Sequence, residues 1–428
     1  MSAPTSPVQI ADYRWLWLSR LLSILATTGM VVVLGYQLYD VARTHYGMSI
    51  PAAAFQLGLL GAAQFFPMML LTPVAGLVAD RFDRRHVAAV AVAFDLIVAL
   101  SLGAATALEL HSLPVLFALG AIHGSVRVFF NPSMSAITPN IVPTGLIPKA
   151  IALTSIAGQG GLMVGPAAFG FLFASSPSLP YWIAAGLLLV AGFAILMIRP
   201  LPMPKIDAEK LHPLRQIADG FRYVWHERFL LGCITLDLFA VLLGGATAIL
   251  PVFARDILHV GPEGLGQMRA APGLGAALVA IWLSWRPLER NVGAKMLVAV
   301  VVFGAATAAF GLSRNYMLSI ACLTVLGAAD MISVFIRSTL IQLNTPDEVR
   351  GRVSAISTLA VSASNELGEF RAGISAALIG ATGAVVFGGA GAIVITLAWA
   401  YLFPEIRRAR TFAPQFRQTE IRRRDPEP

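Results

Sequence analysis

Ionisable side chains stand inside stretches that are otherwise apolar, among them Asp95, Arg127, Asp237, Asp330, Arg337, Glu366 and Glu369, with Arg371 off the face of the last two. An ionised group at the centre of a membrane-spanning helix costs ~2.5–3.5 kcal/mol unless it is paired or wet, so each is a candidate for proton coupling or substrate binding. Asp95 and Arg127 reach similar depth in consecutive stretches that run in opposite directions, which suits a charge pair. Asp330 and Arg337 share one helix face, and Glu366 and Glu369 share another. Two kinds of chemistry fit these residues. One is structural, with opposite charges locking helices together. In the other, a carboxylate without a full partner takes up a proton during a cycle. Asp237, Glu366 and Glu369 suit that role, because Asp237 has no partner in its own helix and the two glutamates repel. His123 is the one histidine well inside an apolar stretch, four residues before Arg127, and reads first as a satisfied buried histidine and second as a relay.

The elements that carry these residues follow from composition. Of 428 residues, 57% are hydrophobic and 13% charged, against about 25% charged in a soluble domain. Such a chain cannot cover a water-facing surface, so the class is an all-α integral membrane protein. Twelve segments have the roughly 20 apolar residues that a span needs. They are 14–42, 52–79, 86–108, 113–138, 146–174, 180–199, 229–254, 263–285, 293–313, 316–342, 350–380 and 382–403. The one long polar interval, 200–228, carries four prolines and then a mixed-charge stretch suited to a surface helix. It separates a bundle at 1–199 from a second at 229–404, and a basic tail follows at 405–428, read as unstructured and lipid-facing from 407 onward.

With the N-terminus inside, 24 of the 31 Lys and Arg fall in cytoplasmic segments and four outside. The positive-inside rule therefore places both termini in the cytoplasm and the chain, multi-pass, in the cell inner membrane. Arg20 counts among those cytoplasmic charges, and Asp40 and Arg43 read as interfacial. The net charge of +8 is membrane topology, and no nucleic-acid partner is expected. Cys233 and Cys322 lie in apolar runs without metal-ligand spacing and read as small buried hydrophobes, so no metal is expected. No phosphate-binding Gly-Lys-Ser/Thr loop is present, which argues against direct nucleotide drive. An offset of 203 residues superposes Pro143 on Pro346, Lys149 on Arg352, Gly165 on Gly368 and Arg127 on Asp330. Two similar halves are a common plan of secondary transporters.

Between the second and third segments, Gly76-Leu-Val-Ala-Asp80-Arg81-Phe-Asp83-Arg84-Arg85 resembles the loop 2–3 signature of the major facilitator superfamily, with Asp83 where glycine is usual. Gly161-Leu-Met-Val-Gly165-Pro166-Ala-Ala-Phe-Gly170 is similar to the span 5 signature of its proton-coupled efflux branches, with Phe169 in place of a glycine. The Thr345-Pro346 turn leading to Gly351-Arg352, followed by a glycine-rich span, looks like the enterobactin-exporter-like branch. The resemblance implies twelve transmembrane helices in two pseudo-symmetric six-helix bundles that alternate access to a central site. It implies a monomer with no cofactor, driven by the proton gradient, that exports a small amphipathic, siderophore- or drug-like molecule. Gly76, Asp80, Arg81, Arg84 and Arg85 would form a cytoplasmic gate. The counterpart loop at 285–290 lacks that pattern, so the gate is one-sided. An importer or uniporter of a polar metabolite is the alternative. A transferase would need a catalytic loop, and 200–228 offers only Asp207, Glu209 and Asp219.

Overall fold

The computed structural model describes residues 5–201, 213–286 and 288–413. It contains helices α1 (Ala11–Thr44), α2 (Ile50–Arg81), α3 (Arg84–Ala107), α4 (Leu113–Ile141), α5 (Ile147–Ser175) and α6 (Leu179–Leu196). There follow α7 (Pro213–His226), α8 (Arg228–Gly244), a single turn α9 (Leu250–Val252), α10 (Gly261–Trp285), α11 (Val292–Leu312), α12 (Tyr316–Asn344), α13 (Asp347–Leu402) and α14 (Pro404–Arg408). Helix is the only regular way to satisfy backbone groups within a single apolar segment at membrane depth, and these segments are rich in Ala, Leu, Val and Gly. The starts are marked by caps: Ser49 accepts from the Ala52 amide and Asn315 from the Leu318 amide. Ten segments among the described residues are long and apolar enough to cross a membrane. One of them, Val349–Leu402, is two helices joined at Gly380, whose φ of 77° only glycine adopts freely. The 25-residue α10 is a further long helix.

The chain forms two compact units, Met1–Pro213 with Leu250–Ala270, and Leu214–Ile249 with Ala271–Pro428. In the first, α1 packs on α5 and α6, and the fully buried rings of Tyr13, Tyr39, Phe169 and Tyr181 fill the interior. A polar chain crosses it: the Tyr181 hydroxyl donates to Gln37 Oε1 at 2.6 Å, and Gln37 Nε2 donates to Thr106 at 2.9 Å. In the second, α13 packs against α8 and α11 around a core that includes Phe229, Leu230, Met296, Ile336 and Val353. The α7 helix occupies the polar interval and buries Val224 in that core.

Two elements depart from expectation. The expected span 229–254 is not one helix. It ends at Gly244, Gly245 takes an extended conformation (ψ 107°), and the chain continues as a 3-10 turn, α9 and a π-helical turn at Phe253–Ile257. The tail, expected to be unstructured from 407, is packed as far as Phe412. Ile406 and Ala409 are buried, and the Gly293 amide donates to the Ala409 carbonyl at 2.9 Å. The apolar residues Ile406, Ala409 and Phe412 recur at a spacing of three, so the segment buries a face despite its arginines.

Candidate functional site

The helix pair α2–α3 turns through Phe82 and Asp83. Gly76 and Asp80 fall in the last turns of α2, and their side chains lie outside the described residues; Arg81 is exposed. Asp83 explains its own departure from the usual glycine. It is the N-cap of α3, accepting from the Arg85 amide at 2.9 Å and from the Arg85 guanidinium at 2.9 and 3.1 Å. Arg85 in turn donates from Nη1 to the Ile198 carbonyl at 2.5 Å, beyond the end of α6, while Arg84 donates to the Ala136 carbonyl in α4. The turn is thus tied to two further helices. Burial works against the Asp83 charge, but the two kinds of hydrogen bond from Arg85, its charge and that of His86 outweigh it and hold the carboxyl below its ordinary range. A depressed carboxylate contributes stability above its unfolded pKa and loses it as pH falls through the folded one. Asp83→Ala is expected to cost about 1–2 kcal/mol, mostly the cap, and to flatten the acid side of the thermal-stability profile. Melting of the purified protein between neutral and acidic pH measures both effects.

The Gly161–Gly170 stretch is a packing surface. A Cβ on Gly161 would meet Leu25 N at 3.2 Å, and one on Gly165 would meet Leu25 O at 2.7 Å, so α5 lies backbone to backbone on α1. The Thr28 hydroxyl, which donates to the Ile24 carbonyl at 2.7 Å, also donates to the Gly161 carbonyl at 3.2 Å. Phe169, in place of a glycine, stacks its ring where Gly29 leaves room. Gly170 faces the start of α10, where a Cβ would meet Pro262 O at 2.5 Å; the Pro166 carbonyl approaches Gly266 just as closely.

The charges expected in pairs find other partners. Asp95 accepts from or donates to His123 Nδ1 at 2.8 Å, both residues being buried. The expected partner Arg127 is exposed and one turn further along α4, on the same face as His123. The shorter imidazole reaches Asp95, and its Nε2 is buried without a partner among the described residues. In the other unit, Arg337 of α12 pairs with Asp237 of α8, and both side chains are more than nine-tenths buried. Arg337 does not close on Asp330 in its own helix, because two turns separate them whereas α8 presents Asp237 directly. Asp237, which has no partner in its own helix, is thus paired across to α12. Asp330 is half-buried and lies within electrostatic reach of both members of the pair. Glu366 and Glu369 are half-buried, and Glu369 accepts from the Thr247 hydroxyl at 3.4 Å.

Arg371 lies off that glutamate face and is spent on α8 and the residue after it. Its Nε donates to the Leu242 carbonyl at 3.1 Å, and its Nη2 to those of Leu243 at 2.6 Å and Gly245 at 3.3 Å. These are carbonyls that the break after Gly244 leaves without helical donors.

Sequence reasoning passed over a second charged cluster. Asp256, in the π-helical turn, accepts from the Tyr39 hydroxyl at 2.6 Å and pairs with Arg43 at 3.4 Å. The neighbouring Arg255 pairs with Asp40 at 3.2 Å and lies over the Tyr39 ring. The signal was present as complementary couples, Asp40 with Arg43 and Arg255 with Asp256, each at the end of an apolar segment.

This architecture of long helices, glycine-lined contacts and buried ion pairs has a counterpart among known proteins. The sequence profile of the transmembrane secretion effectors matches residues 2–419. The chain belongs to that family of the major facilitator superfamily. Relatives within the superfamily include the enterobactin exporter EntS of Citrobacter koseri, 27% identical over 412 residues and covering 94% of each chain. The protein of the same name from Shigella boydii is also 27% identical, over 413 residues, with 94% of each chain covered. Among solved superfamily structures, the nucleoside transporter NupG aligns with a TM-score of 0.71 at 14% identity, over 92% of this chain and 99% of that one. A bacterial homolog of the human lysosomal transporter Spinster, inward-facing and unoccupied, aligns at 0.69 and 16%, over 95% and 98%. At those identities the likeness is one of fold. The protein is thus a multi-pass membrane transporter of the major facilitator fold, and not an enzyme.

Proposed function

We propose that the protein is a proton-coupled exporter of a small amphipathic compound, acting as a monomer in the cell inner membrane with both termini cytoplasmic. The observation that carries the coupling is the arrangement of Asp237, Arg337 and Asp330. One buried guanidinium lies within electrostatic reach of two carboxylates, and among the described residues Asp237 is the one bonded to it. The three groups carry one net negative charge when ionised, so a single proton neutralises the set. That is the stoichiometry a carrier needs to move a buried site past lipid in two states of different charge. Asp95 with His123 offers a second protonatable pair, and Glu366 and Glu369 a third. The Gly76–Arg85 turn would serve as the cytoplasmic gate, with Arg85 and Asp83 tying it to α6. Relatives named as enterobactin exporters support the outward direction and a siderophore-like cargo.

The test uses sealed vesicles holding the purified protein, with enterobactin as the probe and an imposed pH gradient. Wild type is expected to move enterobactin faster with the gradient than without it. Asp330→Asn is expected to abolish that acceleration while leaving the fold intact. Equal rates with and without the gradient in wild type would refute coupling.

A further inference from the structure

Near the start of the first unit, α1, α4 and α5 enclose a cavity of about 260 Å³. Arg20 lines it, together with Ser135, Thr138, Thr154 and Ser155, and its apolar wall includes Ile147 and Ile151. Among the described residues, no carboxylate lines this space. Arg20 is half-buried, and its Nε is inaccessible and without a partner among the described residues. Three of the four hydroxyls are engaged elsewhere. Ser135 donates to the Asn131 carbonyl at 3.0 Å, Thr154 to Ala150 at 2.8 Å and Ser155 to Ile151 at 2.9 Å. Their protons are spent inside their own helices, which leaves the Arg20 guanidinium and the Thr138 hydroxyl as side-chain donors on the cavity.

Ile147, the first residue of α5, also lines the cavity, and the space is rigid. The wall is pinned by aromatic hydrogen bonds across α1 and α5: Tyr13 to the Ala150 carbonyl at 2.7 Å and Trp17 Nε1 to Leu153 at 2.9 Å. Arg20 lies about 14 Å along α1 from its first residue. Leaving a guanidinium nitrogen buried and unpaired is costly, and a visiting counter-anion would offset that cost.

We propose that Arg20 and this cavity bind the anionic group of the transported compound, a carboxylate or similar acidic group on an apolar body. Calling the occupant cargo rests on the export reading; the site itself does not.

The probe is radiolabelled benzoate, with benzamide as its uncharged counterpart. Binding is measured by scintillation proximity on the full chain in phosphatidylcholine nanodiscs. Saturable benzoate binding is expected, with benzamide failing to compete. Arg20→Gln is expected to weaken it about tenfold or more. Ser155→Leu, which fills the mouth and leaves Arg20 in place, is expected to weaken it as well, and decides the matter if Arg20→Gln does not fold. Absence of benzoate binding, equal competition by benzamide, or unchanged binding in both variants would overturn the site. Loss of benzoate binding when phosphatidylglycerol replaces phosphatidylcholine would assign the cavity to a lipid headgroup and overturn the cargo role. In the vesicle assay benzoate is expected to inhibit enterobactin efflux by wild type. Benzoate bound through Arg20 without such inhibition would also overturn the cargo role. Vesicles with no efflux at all would refute the export reading, while binding still reports on the site.

Discussion

Arg337→Met should destabilise the protein by about 3–5 kcal/mol, the cost of leaving a buried charge without its partner. The reciprocal change, Asp237→Asn, should cost distinctly less. The asymmetry comes from Asp330. When Asp237 loses its charge, Arg337 still has a carboxylate within electrostatic reach in its own helix. When Arg337 is lost, two carboxylates within electrostatic reach of each other remain in a nonpolar surrounding. A buried ion pair replaced as a unit by apolar residues of similar volume is often neutral in stability. Asp237→Leu with Arg337→Met should therefore recover much of the lost stability. It should not recover pH-driven efflux, since the groups that would carry the proton are gone or left unbalanced. Thermal unfolding of the four proteins, read by size-exclusion fluorescence, gives the order of stability. Equal losses in the two single variants would show that Asp330 does not share the arginine.

The elements that present these charges were legible because each is an apolar run bounded by Gly, Pro or charge, and bilayer thickness leaves few ways to fold such a run. The Gly161–Gly165 contact was legible for a similar reason: a spacing of four puts two glycines on one helix face, and a partner backbone must come close. Partnership between helices was not legible. His123 and Arg127 lie on one face of α4, so spacing alone does not say which of them meets Asp95. The Asp237–Arg337 pair joins helices distant in the chain, and no local pattern marks it. Arg20 entered the sequence reading as one of 24 cytoplasmic charges. Charge counting sees only the side of the membrane, whereas the burial of its Nε depends on how α1, α4 and α5 converge. The break after Gly244 left a faint trace, the pair Gly244-Gly245 in mid-segment, but hydropathy treats glycine as part of the run.

Arg371→Met should bring a loss of comparable size, and by a different route. At membrane depth there is no water to take over a carbonyl that a broken helix leaves free, and each one stranded costs ~1–3 kcal/mol. Arg371 supplies donors to three such carbonyls, Leu242, Leu243 and Gly245, with a charge suited to the negative end of α8. Glycine makes the approach possible: a Cβ on Gly368 would meet Val241 O at 3.1 Å, and one on Gly388 would stand 3.3 Å from the Arg371 guanidinium. On the far side of the break, Thr247 is held by Glu369, two residues before Arg371. The α13 helix therefore grips both ends of the interruption. Without the guanidinium, the cheapest donors for the freed carbonyls are the amides of Ala246, Thr247 and Ile249, and recruiting them continues the helix. Hydrogen exchange at those amides should then slow in Arg371→Met, although the protein as a whole melts earlier. Lysine has one ammonium where arginine has a planar fork, so Arg371→Lys should fall between the two. Adding Gly245→Ala to Arg371→Met favours the continued helix by about 1 kcal/mol. It should raise the melting temperature without restoring efflux. If exchange at 246–249 is unchanged in Arg371→Met, the arginine does not maintain the break. If the double variant transports normally, the break is not needed for the cycle.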